Sequence, residues 1–192
     1  MKNLVVLIDM DEVLADFVGG ACQVHGVTKA ELHAIQEPGR WDISHPIGTI
    51  IRRELSDDDF WEPIHAAGEE FWFGLDRLPE AIHILDLVKS ITPNWYIVSA
   101  PSRCHTSHVG KIKWLKKQLG EEFDRFVLTP HKHLFAKPGV VLIDDREENV
   151  RKFIKAGGEA LVYPTIGNSL HEYRNDPVSH LSMSLESLLG AN

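Results

Sequence analysis

Cysteine is nearly missing from this chain: Cys22 and Cys104 are the only two among 192 residues. Two cysteines 82 positions apart build neither a disulfide framework nor a zinc ribbon, so a reducing compartment, the cytoplasm, is expected. Long hydrophobic runs are lacking too. The apolar run near the start, Leu4 to Ile8, ends on Asp9 after five residues. That is too short for the core of a signal peptide and far short of the roughly 20 residues of a membrane span. Positive charge is in deficit: Lys and Arg total 20 against 28 Asp and Glu, a formal net charge of −8. This argues against a nucleic acid polymer or an anionic membrane as the main partner. A small phosphorylated ligand is still allowed, because a pocket can be basic within an acidic protein. No Gly-rich nucleotide loop of either common type occurs, which argues against ATP or NAD held that way. A G-x-S-x-G elbow is also absent, since Ser99 stands between Val98 and Ala100. The eleven histidines are scattered; His105 with His108, and His131 with His133, find no carboxylate or cysteine to complete a zinc set.

What is present reads as a folded globular chain, with 43% hydrophobic and 25% charged residues in about one domain's length. Three continuous apolar runs have the character of buried parallel strands: Leu4 to Ile8, Trp95 to Val98 and Val140 to Ile143. Weaker runs are Phe126-Val127-Leu128 and Ala160 to Tyr163. Helical spacing lies between them. Ile82, Leu85 and Val88 follow Pro79, a residue suited to the first helical turn; Val109, Ile112, Leu115 and Leu119 run up to Gly120; Val150, Phe153 and Ile154 precede Gly157-Gly158. Alternating strands and helices predict an α/β fold, a Rossmann-like three-layer parallel sheet with helices on both faces. Ligands of such sheets bind outside the carboxyl ends of the strands. A last helix is expected through Leu181, Leu185, Leu188 and Leu189.

One stretch breaks the alternation. Asp9 and Ser99 are 90 positions apart, whereas one crossover needs about 30. The surplus, 17–75, is rich in Trp and Phe and reads as a small helical cap inserted after the first strand, with 1–16 and 76–192 forming the core. The plainer reading is an extra helical layer of the core. Trp61 and Trp72 are taken as packing residues.

The chemistry sits at predicted strand ends. Asp9-Met10-Asp11 follows the first strand and Asp144-Asp145 follows the run ending at Ile143. Paired acids at one crevice repel unless a cation or shared proton offsets them, and Mg²⁺ suits such a set; capping of the next helix is the structural alternative. Between the pairs come Ser99, at a strand end, and Lys132. Two acid pairs, a hydroxyl and a lysine form a phosphoryl-transfer constellation. Lys111 and Lys137 compete with Lys132 for the phosphate, and Lys111 reaches the substrate from the preceding helix.

This order resembles the haloacid-dehalogenase superfamily of aspartate-nucleophile phosphatases. The resemblance implies Asp9 as nucleophile, Asp11 as general acid and base, Ser99 and Lys132 as phosphate ligands, and Mg²⁺ held by Asp9, Asp11, Asp145 and Asp144. Asp145 is then the direct ligand and Asp144 the supporting acid. The stretch Asp9-Met10-Asp11-Glu12-Val13-Leu14-Ala15-Asp16-Phe17, with Leu142-Ile143-Asp144-Asp145-Arg146, is similar to the 5′(3′)-deoxyribonucleotidase family. That implies a nucleoside monophosphate as substrate, with Phe17, Trp41, Lys111 and Arg146 around it. Two residues depart from the family pattern: Glu12 stands where glycine is usual, and Ala100 where a second hydroxyl is usual. A receiver-like phosphoacceptor module is the rival class, but it places its lysine after both sets of acids. A dehalogenase has no use for a metal or for the second Asp. A sugar-phosphate phosphatase and a non-catalytic phosphate-binding relative stay open, as does oligomeric state, a homodimer included.

Overall fold

The structure, a computed structural model, describes residues 4–190, so 1–3 and 191–192 of the expected core lie outside the described residues. The first strand, β1 (Val5–Ile8), leads into four helices: α1 (Phe17–Val24), α2 (Lys29–Ile35), α3 (Ser44–Ile51) and α4 (Asp57–Gly74). Then come α5 (Ala81–Ile91), β2 (Trp95–Ser99), α6 (Thr106–Leu119), β3 (Phe126–Leu128), a 3₁₀ turn (Lys132–Phe135) and β4 (Val140–Asp144). The chain continues with α7 (Glu147–Lys155), β5 (Glu159–Val162) and α8 (Pro177–Gly190). All five expected strands and the expected helices form, with ends displaced by up to four residues; α6, for example, begins at Thr106 rather than Val109.

The sheet is wholly parallel in the order β3-β2-β1-β4-β5, with Ile8 beside Ile97 on one flank and Ile143 on the other. Side chains alternate across it. Val6, Ile8, Ile97, Val141 and Ile143 pack with α5, α6 and α8, whereas Leu7, Val98 and Leu142 pack with Phe153 of α7. Helices therefore lie on both faces, as the sequence predicts, but unequally. On the second face α7 covers the β4–β5 half, while over β1, β2 and β3 the 3₁₀ turn leaves an apolar groove containing Leu134 and Phe135. The crossover from β3 to β4 is too short to carry a full helix there.

The insertion leaves and returns side by side. The Asp16 N–H donates to the Asp76 carbonyl at 2.8 Å, and the Leu78 N–H to the Leu14 carbonyl at 2.9 Å. All four helices between these ends start from recognisable signals or packing. Thr28 with Glu31 and Ser56 with Asp59 form capping boxes on α2 and α4. Inside α4 the helix breaks at Gly68, whose φ of 63° and ψ of −137° suit glycine alone. The second half of α4 then crosses α6 so closely that a Cβ on Gly110 would lie 2.5 Å from the Glu69 carbonyl oxygen. Phe60, Ile64, Phe71 and Trp72 of α4 belong to the same contiguous apolar core as Ile8, Ile97 and Leu115.

Candidate active site

β2, β1 and β4 are neighbours, so the residues at their carboxyl ends are brought to one place: Ser99, Asp9 and Asp144 with Asp145. The loop after β1 turns sharply, with the Leu14 and Ala15 N–H groups both donating to the Met10 carbonyl at 2.8 Å. This turn returns Asp11 towards Asp9. Lys132, the first residue of the 3₁₀ turn, is buried and pairs at 2.7 Å with Asp9 Oδ1 and at 2.6 Å with Asp144 Oδ2. Burial by itself would lower the lysine's pKa, but the Asp9 and Asp144 carboxylates outweigh it and hold the ammonium above its ordinary value.

Lys111 takes a second position. Its side chain is fully buried, its Nζ donates at 2.8 Å to Ser99 Oγ and pairs with Asp11, and it lies 4.8 Å from the centre of the Trp72 ring. The two lysines thus reach the acid cluster through different partners, Lys111 at Asp11 and Lys132 at Asp9 and Asp144. Lys137 does not: it lines the groove on the other face of the sheet.

The two acids after β4 differ in what holds them. Asp144 accepts from the Arg146 N–H at 2.9 Å, from Asn149 Nδ2 on both oxygens and from Lys132. Burial and the nearby Asp9 raise it to about 6 against the pull of Lys132. Asp145 is raised well above its ordinary value by burial, then by Asp144 and Asp9, and its Oδ2 is buried without a partner. Asp11 also keeps one buried oxygen, Oδ1, unpartnered; burial raises this acid too, opposed by Lys111 and reinforced by Asp9. Asp9, Asp144 and Asp145 each offer an oxygen within 4.8 Å of the others. Orphaned buried carboxylate oxygens in such a cluster fit a hard, oxygen-seeking cation.

Beside the cluster opens a cavity of about 290 Å³ lined by Phe17, Trp41, Phe60, Trp61, Gln36 and Arg146, among others. The Arg146 guanidinium lies over the Trp41 ring at 5.2 Å. Phe17 is backed by a stacked Trp72 at 5.7 Å and an edge-on Phe71 at 6.0 Å. All the expected site residues except Lys137, the third contender, therefore lie on the acid cluster or this cavity. Sequence reasoning missed four contributors. Trp61, taken for packing, forms part of the cavity wall. Asn149 orients Asp144, and its place in the first turn of α7, five residues after the acid, is the signal that could have found it. Buried Asn168 donates at 2.9 Å to the Asp145 carbonyl, and no local pattern marks it. Gln36 is the fourth, and nothing in its neighbourhood of the sequence points to it.

The fold built on this five-stranded parallel sheet is shared with hydrolases of the haloacid-dehalogenase type. A hydrolase of that class from Deinococcus radiodurans, solved with bound phosphate and sodium, shares the fold at a TM-score of 0.55 and 15% identity, over 95% of each chain. A haloacid-dehalogenase-like hydrolase from Bacteroides fragilis does so at 0.56 and 15%, over 91% of this chain and 93% of that one. The chain belongs to the 5′ nucleotidase, deoxy (pyrimidine), cytosolic type C protein family, whose model matches residues 3–176. It is 28% identical over 154 residues to the mitochondrial 5′(3′)-deoxyribonucleotidase of Mus musculus, covering 77% of this chain and 66% of that protein. Identity to the cytosolic type of Homo sapiens is also 28%, over 152 residues, 76% of this chain and 72% of that one. The matched stretch thus spans about two thirds of the mitochondrial relative's length. No helix among the described residues is long and apolar enough to cross a membrane.

Proposed function

We propose that this protein is a Mg²⁺-dependent phosphomonoesterase acting on (deoxy)nucleoside monophosphates, working through an aspartyl-phosphate. The observation that carries the reading is the convergence of Asp9, Asp11, Lys111, Lys132 and Asp145 on one crevice, open to an aromatic cavity. Asp9 Oδ1 is held by Lys132 and by the Met10 N–H at 2.7 Å, which leaves Oδ2 to attack phosphorus. Asp11, held by Lys111 and raised by burial, is suited to carry the proton that the departing ester oxygen requires. In the second half-reaction the deprotonated Asp11 takes the proton of the water that cleaves the acyl phosphate. Ser99, Lys111 and Lys132 bind the phosphoryl oxygens and offset the charge that builds on them. Asp9, Asp145 and the backbone at Asp11 would hold Mg²⁺, while Asp144, saturated by its own hydrogen bonds, positions Lys132. The ion supplies Lewis-acid charge that lets an anionic nucleophile approach an anionic ester.

The helical insertion 17–75 acts as the cap, bringing Phe17, Trp41 and Trp61 over the strand ends, where flat apolar walls suit a base. Its shared core with the sheet makes it a fixed part of the wall. The two cysteines are free, Cys22 buried and Cys104 half-buried, as suits a reducing compartment such as the cytoplasm.

The test is phosphate release with Mg²⁺ from 5′- and 3′-nucleoside monophosphates, sugar phosphates and an aryl phosphate. Deoxynucleotide turnover that stops with EDTA and falls on the order of 10⁴-fold in Asp9→Asn supports the reading. Turnover of sugar or aryl phosphates alone would keep the mechanism and overturn the nucleotide substrate; no turnover at all would overturn both.

A further inference from the structure

Gln36 follows α2 at its carboxyl end and is 6% exposed. Its amide orientation is fixed by one contact, since Nε2 donates to the Arg40 carbonyl at 3.1 Å. The other end, Oε1, is buried and has no hydrogen-bond partner. A buried acceptor without a donor is unfavourable, and such atoms in a cavity wall mark where a ligand donor belongs. Gln36 is part of the wall of the cavity beside the acid cluster, together with the aromatic rings of Phe17, Trp41 and Trp61.

Other acceptors stand in the same lining. Asp42 and Asp57 add carboxylate acceptors, and the Ser44 hydroxyl already donates to Asp42 Oδ1 at 2.7 Å. Among the described residues that line the cavity, Arg146 is the one cation, and it is engaged with the Trp41 face. A ligand entering here meets flat apolar walls with Gln36 among the lining residues, its unpartnered Oε1 lying just beneath the surface of the wall. Glu12 and Arg146, the neighbours in sequence of Asp11 and Asp145, also line the cavity, which puts it next to the acid cluster.

We propose that Gln36 Oε1 accepts a hydrogen bond from an N–H on the edge of the substrate's base, which makes Gln36 a specificity-determining residue; this rests on the nucleotide reading above. The ligand class it selects is a base that presents an N–H donor, against one that presents only acceptors or a methylated nitrogen.

Thymine isolates the contact because N3–H is its only base donor once the sugar is attached. The experiment compares kcat/KM for dTMP and N3-methyl-dTMP in the wild-type protein and in Gln36→Met, which keeps side-chain length and removes the acceptor. The expected result is a wild-type preference of at least about tenfold for dTMP that falls to within about threefold in the variant, with the change mainly in KM. A purely structural role would weaken both substrates together and leave their ratio unchanged, and that outcome overturns the inference. Equal turnover of the two substrates by the wild-type protein overturns it as well, and needs no variant to fold. Hydrolysis of an aryl phosphate with neither deoxynucleotide turned over would overturn the nucleotide reading itself, and this inference with it.

Discussion

Glu12 shows what a single residue can be made to tolerate. It sits directly after Asp11 with a φ of 58°, in the left-handed region that favours glycine. Its side chain offsets the strain: Oε1 accepts the Val18 N–H at 2.8 Å, and Oε2 lies 3.9 Å from Lys29 Nζ, which also binds Asp16 at 2.6 Å. Burial raises this carboxyl to about 7 against the pull of Lys29. The residue therefore ties the loop that bears Asp11 to the first two helices of the insertion. Glu12→Ala should lose these ties while keeping a Cβ at positive φ, lowering stability by about 1–2 kcal/mol in urea unfolding. Glu12→Gly should be the more stable of the two variants by about 1 kcal/mol, because it relieves the backbone. The reverse order would show that the φ at this position carries no strain. The departure at Glu12 was legible in the sequence. Its two partners were not, since Lys29 and Val18 reach it only once α1 and α2 have packed.

At the scale of elements, the crossing of α4 and α6 decides where Lys111 goes. Gly110 is the point of closest approach: an added Cβ would meet the Glu69 carbonyl oxygen and Trp72 Cβ, each at 2.5 Å. The next residue, Lys111, is then directed past Trp72 to Ser99 and Asp11. Gly110→Val should destabilise the fold by about 1–3 kcal/mol, read by urea titration, because neither backbone nor Trp72 can give way cheaply. On the function proposed above, it should also lower kcat more than it raises KM, since it displaces the amine that pairs with Asp11 and Ser99. A stable variant with unchanged kinetics would show that the helices re-pack without moving Lys111. A second tie, Trp114 Nε1 donating to the Leu75 carbonyl at 2.7 Å, fixes α6 to the end of the insertion. The sequence placed Lys111 on a helix near the site and preferred Lys132 as the phosphate ligand on family spacing, but it did not show which acid each lysine meets. Spacing along one helix carries no information about which strand end that helix crosses.

Across the whole molecule, acids converge from distant stretches of the chain on one cluster, where their charges repel. Lys132 offsets part of that charge, leaving Asp145 with a buried unpartnered oxygen. Asp145→Asn should therefore melt higher than the wild-type protein in EDTA. Mg²⁺ should raise the wild-type melting temperature, with about 2.7 kcal/mol available at a hundredfold excess over Kd. The same addition should leave Asp145→Asn nearly unmoved. Scanning calorimetry with and without Mg²⁺ checks both, and an equal Mg²⁺ shift in the two proteins would remove Asp145 from the ion site.

The five strands, their parallel arrangement and the polar residues at their ends could be read from the sequence alone, because hydrophobic runs, helical spacing and turn residues are local signals. The acid pairs were legible for the same reason, each standing immediately after an apolar run. Only the tertiary structure decided that Lys132 joins Asp9 to Asp144 while Lys111 joins Asp11 to Ser99, or that Trp61 and Gln36 face a cavity. Lys111 and Asp11 are 100 positions apart. Their meeting depends on the order β3-β2-β1-β4-β5 and on the angle at which α4 and α6 cross, and these follow from the packing of the whole core, which no short stretch of sequence encodes.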